Sequence, residues 1–324
     1  MPSTTTSGIN GPSTATKQPH IFRIMVRMSG APLNRVPLNR RDFFLRGATG
    51  LAALHNFPHH LFAATTAKQA SDRIKLGPRG VEVSRLAMGT GTNGVGGSSN
   101  QTKKLGVQGL ADLFKFGYDH GLTFWDSADQ YGTHLHMKAA LKEVKRDNVA
   151  IMTKTHATTA KDMREDLDRF RREIGTDYID IVLLHAMTDG DWPEKKKGAM
   201  EVLSEAQEKG IVRTHGTSCH SFEAMQAALK TPWCEVDLAR INPAKIAMDN
   251  DPQTILNLLQ DMKSAGKGVI GMKIFGAGRL RSKPDECLQF ALAHDQIDAF
   301  TIGAEGVMEL GDLVKKIPAA SVRG

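Results

Sequence analysis

Asp126, Tyr131, Lys154 and His185 each stand at or just beyond the end of a short apolar run in this 324-residue chain. Leu122-Thr123-Phe124-Trp125 runs into Asp126, with Tyr131 following in Asp126-Ser127-Ala128-Asp129-Gln130-Tyr131-Gly132. The run Val149 to Met152 ends at Thr153-Lys154, and Ile179 to Leu184 ends at His185. A carboxylate beside a buried lysine stabilises the ammonium, and that cation beside a phenol lowers the phenol's pKa toward neutrality. A phenol tuned in this way exchanges a proton with a carbonyl or alcohol oxygen. An imidazole holds that oxygen by a hydrogen bond. Taken singly, each residue has an ordinary structural role: a loop cap, a packing tyrosine at a turn, a solvated strand end, a core histidine. Their succession at neighbouring strand ends is what points to one proton-transfer site.

Elements able to bring these ends together are legible from about Arg73 onward. Ile74-Lys75-Leu76, a Gly/Pro turn and Val81-Glu82-Val83 predict a small hairpin. Strands are then expected at Leu86–Met88, Thr123–Trp125, Val149–Met152, Ile179–Leu184, Ile211–His215, Val236–Ile241, Gly268–Met272 and Phe300–Ile302. Between them lie helical stripes such as Leu110, Leu113, Phe114 and Gly117, or Met163, Leu167, Phe170 and Ile174. Ser221 and Asp251-Pro252 supply helix starts, and Gly210 and Gly266 supply stops. Eight strand–helix repeats after a hairpin predict an α/β fold, a (β/α)8 TIM barrel with an N-terminal β-hairpin over residues 71–324, whose active site lies where the C-terminal strand ends converge. The competing arrangement is an open doubly wound sheet. It would carry a G-x-G-x-x-G turn after its first strand, whereas Gly89 to Gly97 is glycine-rich without that spacing and reads as a flexible loop at the barrel mouth.

The motif from Asp126 to Gly132, Thr153-Lys154 and Leu183-Leu184-His185, with Leu86-Ala87-Met88-Gly89-Thr90-Gly91-Thr92 after the hairpin, resembles the aldo/keto reductase family over roughly residues 72–317. The resemblance implies binding of NADP(H), or alternatively NAD(H), and hydride transfer between nicotinamide and a small-molecule carbonyl or alcohol substrate. It makes Tyr131 the general acid/base, gives Lys154 and Asp126 the task of tuning it, and has His185 orient the substrate. It places cofactor contacts at Gly91, Thr92, Ser218, Met272, Lys273 and Gly303, and a substrate contact at Trp192. The match is weaker on the cofactor side. Cys219 stands where the family has Asn, Leu238 where it has Gln, and Met272 where it often has an aromatic, while Glu305 would oppose a 2′-phosphate. Two other functions stay open: a cofactor-binding regulatory module with little turnover, and a Schiff-base lyase using Lys154.

Composition narrows the remaining classes. Lys and Arg exceed Asp and Glu by seven, and the basic excess includes Arg23, Arg27, Arg35, Arg40, Arg41 and Arg46 in the leader. That placement indicates targeting, not a nucleic-acid surface. Cys219, Cys234 and Cys287 are too sparse and too far apart for a disulfide framework or an iron–sulfur cluster. A metal site built from His156, His185, His215 and His220 has no supporting carboxylate spacing, and none is expected. Residues 1–70 read as a disordered leader. Within it, Arg40-Arg41, Phe43, a modest apolar run and Ala63-Ala64 resemble a twin-arginine signal, with cleavage after Ala64, Ala67 or Ala70. That resemblance implies the twin-arginine translocase as a partner and a periplasmic destination; without it the expected location is cytoplasmic.

Overall fold

The computed structural model describes residues 67–321; the twin-arginine segment lies outside the described residues. An antiparallel hairpin, β1 (Arg73–Leu76) and β2 (Val81–Ser84), precedes eight parallel strands. These are β3 (Leu86–Gly89), β4 (Phe124–Asp126), β5 (Ala150–Thr155), β6 (Ile179–Met187), β7 (Val212–Cys219), β8 (Val236–Arg240), β9 (Gly268–Met272) and β10 (Ala299–Gly303). Each pairs with the next in sequence, and β10 pairs with β3 through Phe300↔Leu86 to Gly303↔Gly89, closing the barrel. This is the expected (β/α)8 fold, and closure rules out the open sheet.

Side-chain alternation divides the core into two layers. Ala87, Phe124, Ala150, Met152, Ile181, Leu183, Val236, Leu238, Ile270, Met272 and Ala299 form the barrel interior. Leu76, Val81 and Val83 of the hairpin join them and plug the interior. The intervening residues, among them Trp125, Ile151, Val182, Leu184, Val269 and Phe300, pack outward against the helices. The helices are α1 (Asn100–Asp119), α2 (His134–Ala140), α3 (Ala160–Ile174), α4 (Trp192–Lys195), α5 (Lys197–Glu208), α6 (Phe222–Lys230), α7 (Pro252–Ser264), α8 (Pro284–Ala293) and α9 (Val307–Ser321). The predicted stripes are buried on α1 and α3. Ser221 caps α6 through Ala224 N, and Asp251 caps α7 through Thr254 N, each at 3.0 Å.

One boundary moves. Residues 68–70 belong with the barrel and not with the leader. Ala70 is buried and its carbonyl accepts from Leu86 N at 3.0 Å, while Lys68 Nζ bonds Leu292 O and Asp295 Oδ1, both at 2.8 Å. Among the described residues no helix is long and apolar enough to cross a membrane.

Candidate active site

The same alternation sets what faces the barrel mouth. Two residues beyond an inward residue lies another inward one, so Phe124 leads to Asp126, Met152 to Lys154, Leu183 to His185 and Ala299 to Thr301. Lys154 is almost wholly buried, and its Nζ bonds the Asp126 carboxylate and Ser127 O, the latter at 2.7 Å. Thr301 Oγ1 donates to the other Asp126 oxygen at 2.7 Å. Burial opposes the Lys154 charge, but Asp126 and the Tyr131 phenol outweigh it and raise the lysine's pKa. Lys154 is therefore a stable cation held at a fixed point.

Tyr131 ends a single 3-10 turn (Asp129–Tyr131) that is stopped by Gly132 at φ 65. A Cβ on Gly132 would sit 2.0 Å from Gly97 O, so both conformation and space demand glycine there. The Tyr131 ring lies in a slot between Gly91 and Gly94, where an added Cβ would come within 2.3 Å and 2.4 Å of ring carbons. The glycine-rich loop is thus held against the tyrosine, with Gly94 N bonded to Gly91 O at 3.0 Å and Gly97 N to Gln130 O at 2.9 Å. Lys154 Nζ is 5.0 Å from the ring centroid, and His185 meets the ring edge-on at 5.7 Å. The expected lowering of the phenol pKa is reversed. Burial raises it by more than the Lys154 charge lowers it, so the phenol keeps its proton.

His185 is aimed by a β-bulge. The β6–β7 register shifts between Leu184 and Met187, and Ala186 adopts φ 57, a conformation costly for a residue with a Cβ. Burial, then the charge of Lys154 and neighbouring groups including His156, pushes the His185 pKa down to about 2, so the imidazole is neutral. It stacks on His156 at 4.8 Å, and its Nδ1 has no hydrogen-bond partner among the described residues. Of the four histidines considered as a metal set, His156 and His185 lie together and His215 stands apart. His215 points outward and stacks on Trp233 at 4.3 Å. Asp129, His134 and Glu173 do converge. Arg169 spans both carboxylates, and His134 bonds Glu173 and Thr153 at 2.8 and 2.7 Å, so that cluster is internally satisfied.

A cavity of about 450 Å³ opens over this centre. Asp126, Tyr131, Lys154 and Thr301 line it, together with Gly91, Thr92, Met272, Lys273 and Gly303 from the expected cofactor set. Leu238 contributes apolar wall, and Glu305, Glu309 and Asp312 contribute carboxylates. Ser218 is not among the residues that line the cavity; it is buried, and its Oγ has no hydrogen-bond partner among the described residues, the kind of orphaned group that a bound amide would satisfy. Trp192 is not brought to the cavity. It is buried, donates from Nε1 to Ala224 O at 3.1 Å, and packs 6.3 Å from Trp233. Cys219 is buried and its thiol pKa is raised well above the ordinary value, so it offers no thiolate beside His220. Thr301, Gly94 and the bulge at Ala186 were not foreseen. Period-two counting along β10 finds Thr301, whereas the other two depend on contacts distant in sequence.

Comparison with known proteins agrees with this architecture. The sequence pattern of the aldo/keto reductase family matches residues 87–316. The Glycine max protein named "probable aldo-keto reductase 1" is 29% identical over 169 residues, 48% of this chain and 47% of that protein, so the chain spans about half the length of this curated relative. A Bacillus halodurans aldo-keto reductase in its holo form is similar at TM-score 0.62 and 18% identity, covering 76% of this chain and 91% of that one. An aldo-keto reductase of Klebsiella pneumoniae, solved in complex with NADPH, is similar at TM-score 0.60 and 21% identity, covering 78% and 89%. Those two likenesses concern the fold; the family match spans most of the chain. With its closed barrel and the Asp126, Tyr131, Lys154 and His185 centre, the chain belongs to the aldo/keto reductase family.

Proposed function

We propose that this protein is a nicotinamide-dependent oxidoreductase acting between a carbonyl and an alcohol, with Tyr131 as general acid/base. The observation that carries the reading is the buried Asp126–Lys154 pair beside Tyr131 on the cavity wall. When bound, the nicotinamide would supply or accept hydride. Gly91, Thr92, Ser218, Met272 and Gly303 are the residues suited to hold it, through close backbone approach, the unpartnered Ser218 Oγ and the Met272 thioether. In the reducing direction the Tyr131 phenol gives its proton to the carbonyl oxygen. Lys154, fixed by Asp126 and Ser127 O, stabilises the phenolate that remains, and neutral His185 orients the oxygen. In the oxidising direction the same phenolate recovers a proton from the alcohol. Lys154 as a Schiff-base nucleophile loses support, because its raised pKa keeps the amine charged.

Titration with NADP(H) and NAD(H), followed by a panel of aldehydes and ketones, tests the proposal. Binding with turnover on at least one carbonyl supports it. Binding without turnover on any carbonyl supports the regulatory module. The Klebsiella pneumoniae relative carries NADPH, while Glu305, Glu309 and Asp312 on the cavity wall favour a dinucleotide without the 2′-phosphate. The ratio of the two dissociation constants decides between them.

Export by the twin-arginine route is proposed from Arg40-Arg41 and Ala63-Ala64. Cleavage after Ala64 or Ala67 leaves the Lys68 and Ala70 contacts intact, whereas cleavage after Ala70 removes them. N-terminal sequencing of protein from the periplasmic fraction checks this. Intact leader on cytoplasmic protein alone contradicts it.

A further inference from the structure

Lys154, Lys273 and Arg281 are the cations that line the cavity, and Arg281 Nε is bonded to Gly278 O. Lys154 is paired with Asp126, and Arg240 with Asp249 through both oxygens. Lys273 lines the cavity, and its ammonium has no ion-pair or hydrogen-bond partner among the described residues. Its position is built, not incidental. The backbone at Lys273 takes φ 59, a left-handed conformation uncommon for a residue with a long side chain. It is held there by bonds to its carbonyl from Gly276 N at 2.7 Å and Asn242 Nδ2 at 3.2 Å. Local strain of this kind clusters at functional positions. Burial, then the charges of Arg240 and Lys154, lowers the Lys273 pKa, and the Lys273 charge in turn contributes to lowering those of His185 and His220. The neighbouring imidazoles of His156, His185 and His220 supply no negative charge in either protonation state.

We infer that Lys273 recognises a carboxylate on the substrate, which makes 2-oxo acids and their 2-hydroxy acid products the preferred class. The inference rests on the oxidoreductase reading. In the reducing direction hydride goes to C2, the Tyr131 proton goes to the C2 oxygen, and the carboxylate stays unchanged on Lys273. The anion thereby completes an ion pair that the protein itself leaves open. A charge-assisted contact in a partly buried site discriminates by about 10- to 100-fold.

Phenylglyoxylate and phenylglyoxamide form a matched pair that differs in this charge. Isothermal titration of the whole protein with each, with and without oxidised dinucleotide, is compared for the parent, Lys273→Met and Lys273→Arg. The parent is expected to bind the acid about 10- to 100-fold tighter than the amide. Lys273→Met abolishes that preference and Lys273→Arg retains it. Where turnover is measurable, the ratio of kcat/KM for the two compounds follows the same order. Equal binding of acid and amide by the parent, or a preference that survives Lys273→Met, overturns the inference. Loss of dinucleotide affinity in Lys273→Met with the acid preference intact also overturns it, since the cofactor diphosphate is then the anion held. A Lys273-dependent acid preference with no turnover on any carbonyl supports carboxylate recognition and removes the reductase reading alone.

Discussion

Gly94→Ala isolates the placement of Tyr131 from every other property of the site. Gly94 does not use a left-handed backbone, so alanine fits its conformation. Gly94 also lies outside the residues that line the cavity, so the new methyl does not enter the cofactor space. Its Cβ would stand 2.4 Å from Tyr131 Cδ1, 2.9 Å from Cε1 and 3.0 Å from Cγ, whereas ordinary contact begins at 3.4 Å. The ring must therefore recede by 3.4 − 2.4, about 1 Å, and Gly91 closes the opposite edge of the slot. A displacement of about 1 Å at the reacting group costs on the order of 100-fold in rate. The expected result is a fall of that size in kcat on the best carbonyl of the panel, with dinucleotide affinity unchanged. The melting temperature should shift by no more than roughly 4 °C, equivalent to about 1 kcal/mol for a domain of this size. A kcat within about threefold of the parent, in a folded variant, would refute the claim that the glycine slot positions the phenol.

Thr301→Val removes the hydroxyl bonded to Asp126 Oδ2 while keeping the side-chain shape. Losing a buried bond to a charged acceptor costs about 2 kcal/mol, which should lower the melting temperature by roughly 4–8 °C and reduce kcat, with Thr301→Ser close to the parent. An unchanged melting curve means that Asp126 does not depend on this contact. Asp237 is buried behind the barrel wall, where Thr217 Oγ1 donates to one oxygen at 2.9 Å and the other has no partner among the described residues. Burial raises its pKa from 3.8 to about 6, so between those values the folded state holds a proton that the unfolded chain has lost. Stability then declines as pH rises through that window, by about 3 kcal/mol in total. Asp237→Asn should flatten this slope in urea unfolding and leave the protein more stable than the parent at pH 7. A slope that persists in the variant would show that another group is responsible.

How much could be read from the sequence follows from which contacts are local. Asp126, Lys154 and His185 were legible because each extends a period-two pattern past the end of an apolar run, and a closed barrel gathers such ends. Thr301 obeys the same rule, but β10 is short and a lone threonine carries little chemical signal. The aim of His185 depends on the left-handed Ala186, and alanine gives no sign of a bulge. The Tyr131 pKa was expected to fall because spacing reveals the nearby lysine, whereas desolvation is a property of the folded surroundings. Trp192 reads as a pocket residue in a loop, and only the approach of Ala224 and Trp233 shows that it packs inward. On the cofactor side, Leu238 and Met272 line the cavity. The pairing of Lys154 with Asp126 and of Arg240 with Asp249, against which Lys273 stands out, is a tertiary property that residue spacing does not carry.

Tyr131→Phe tests the central claim most directly, because it deletes one oxygen and leaves the ring in its slot. Single-turnover reduction by the dinucleotide-loaded variant should fall by at least about 100-fold, the contribution expected of a positioned general acid. Dinucleotide binding and the melting temperature should stay at parental values. Near-parental reduction by Tyr131→Phe would contradict the account, since the proton would then reach the carbonyl oxygen by another route.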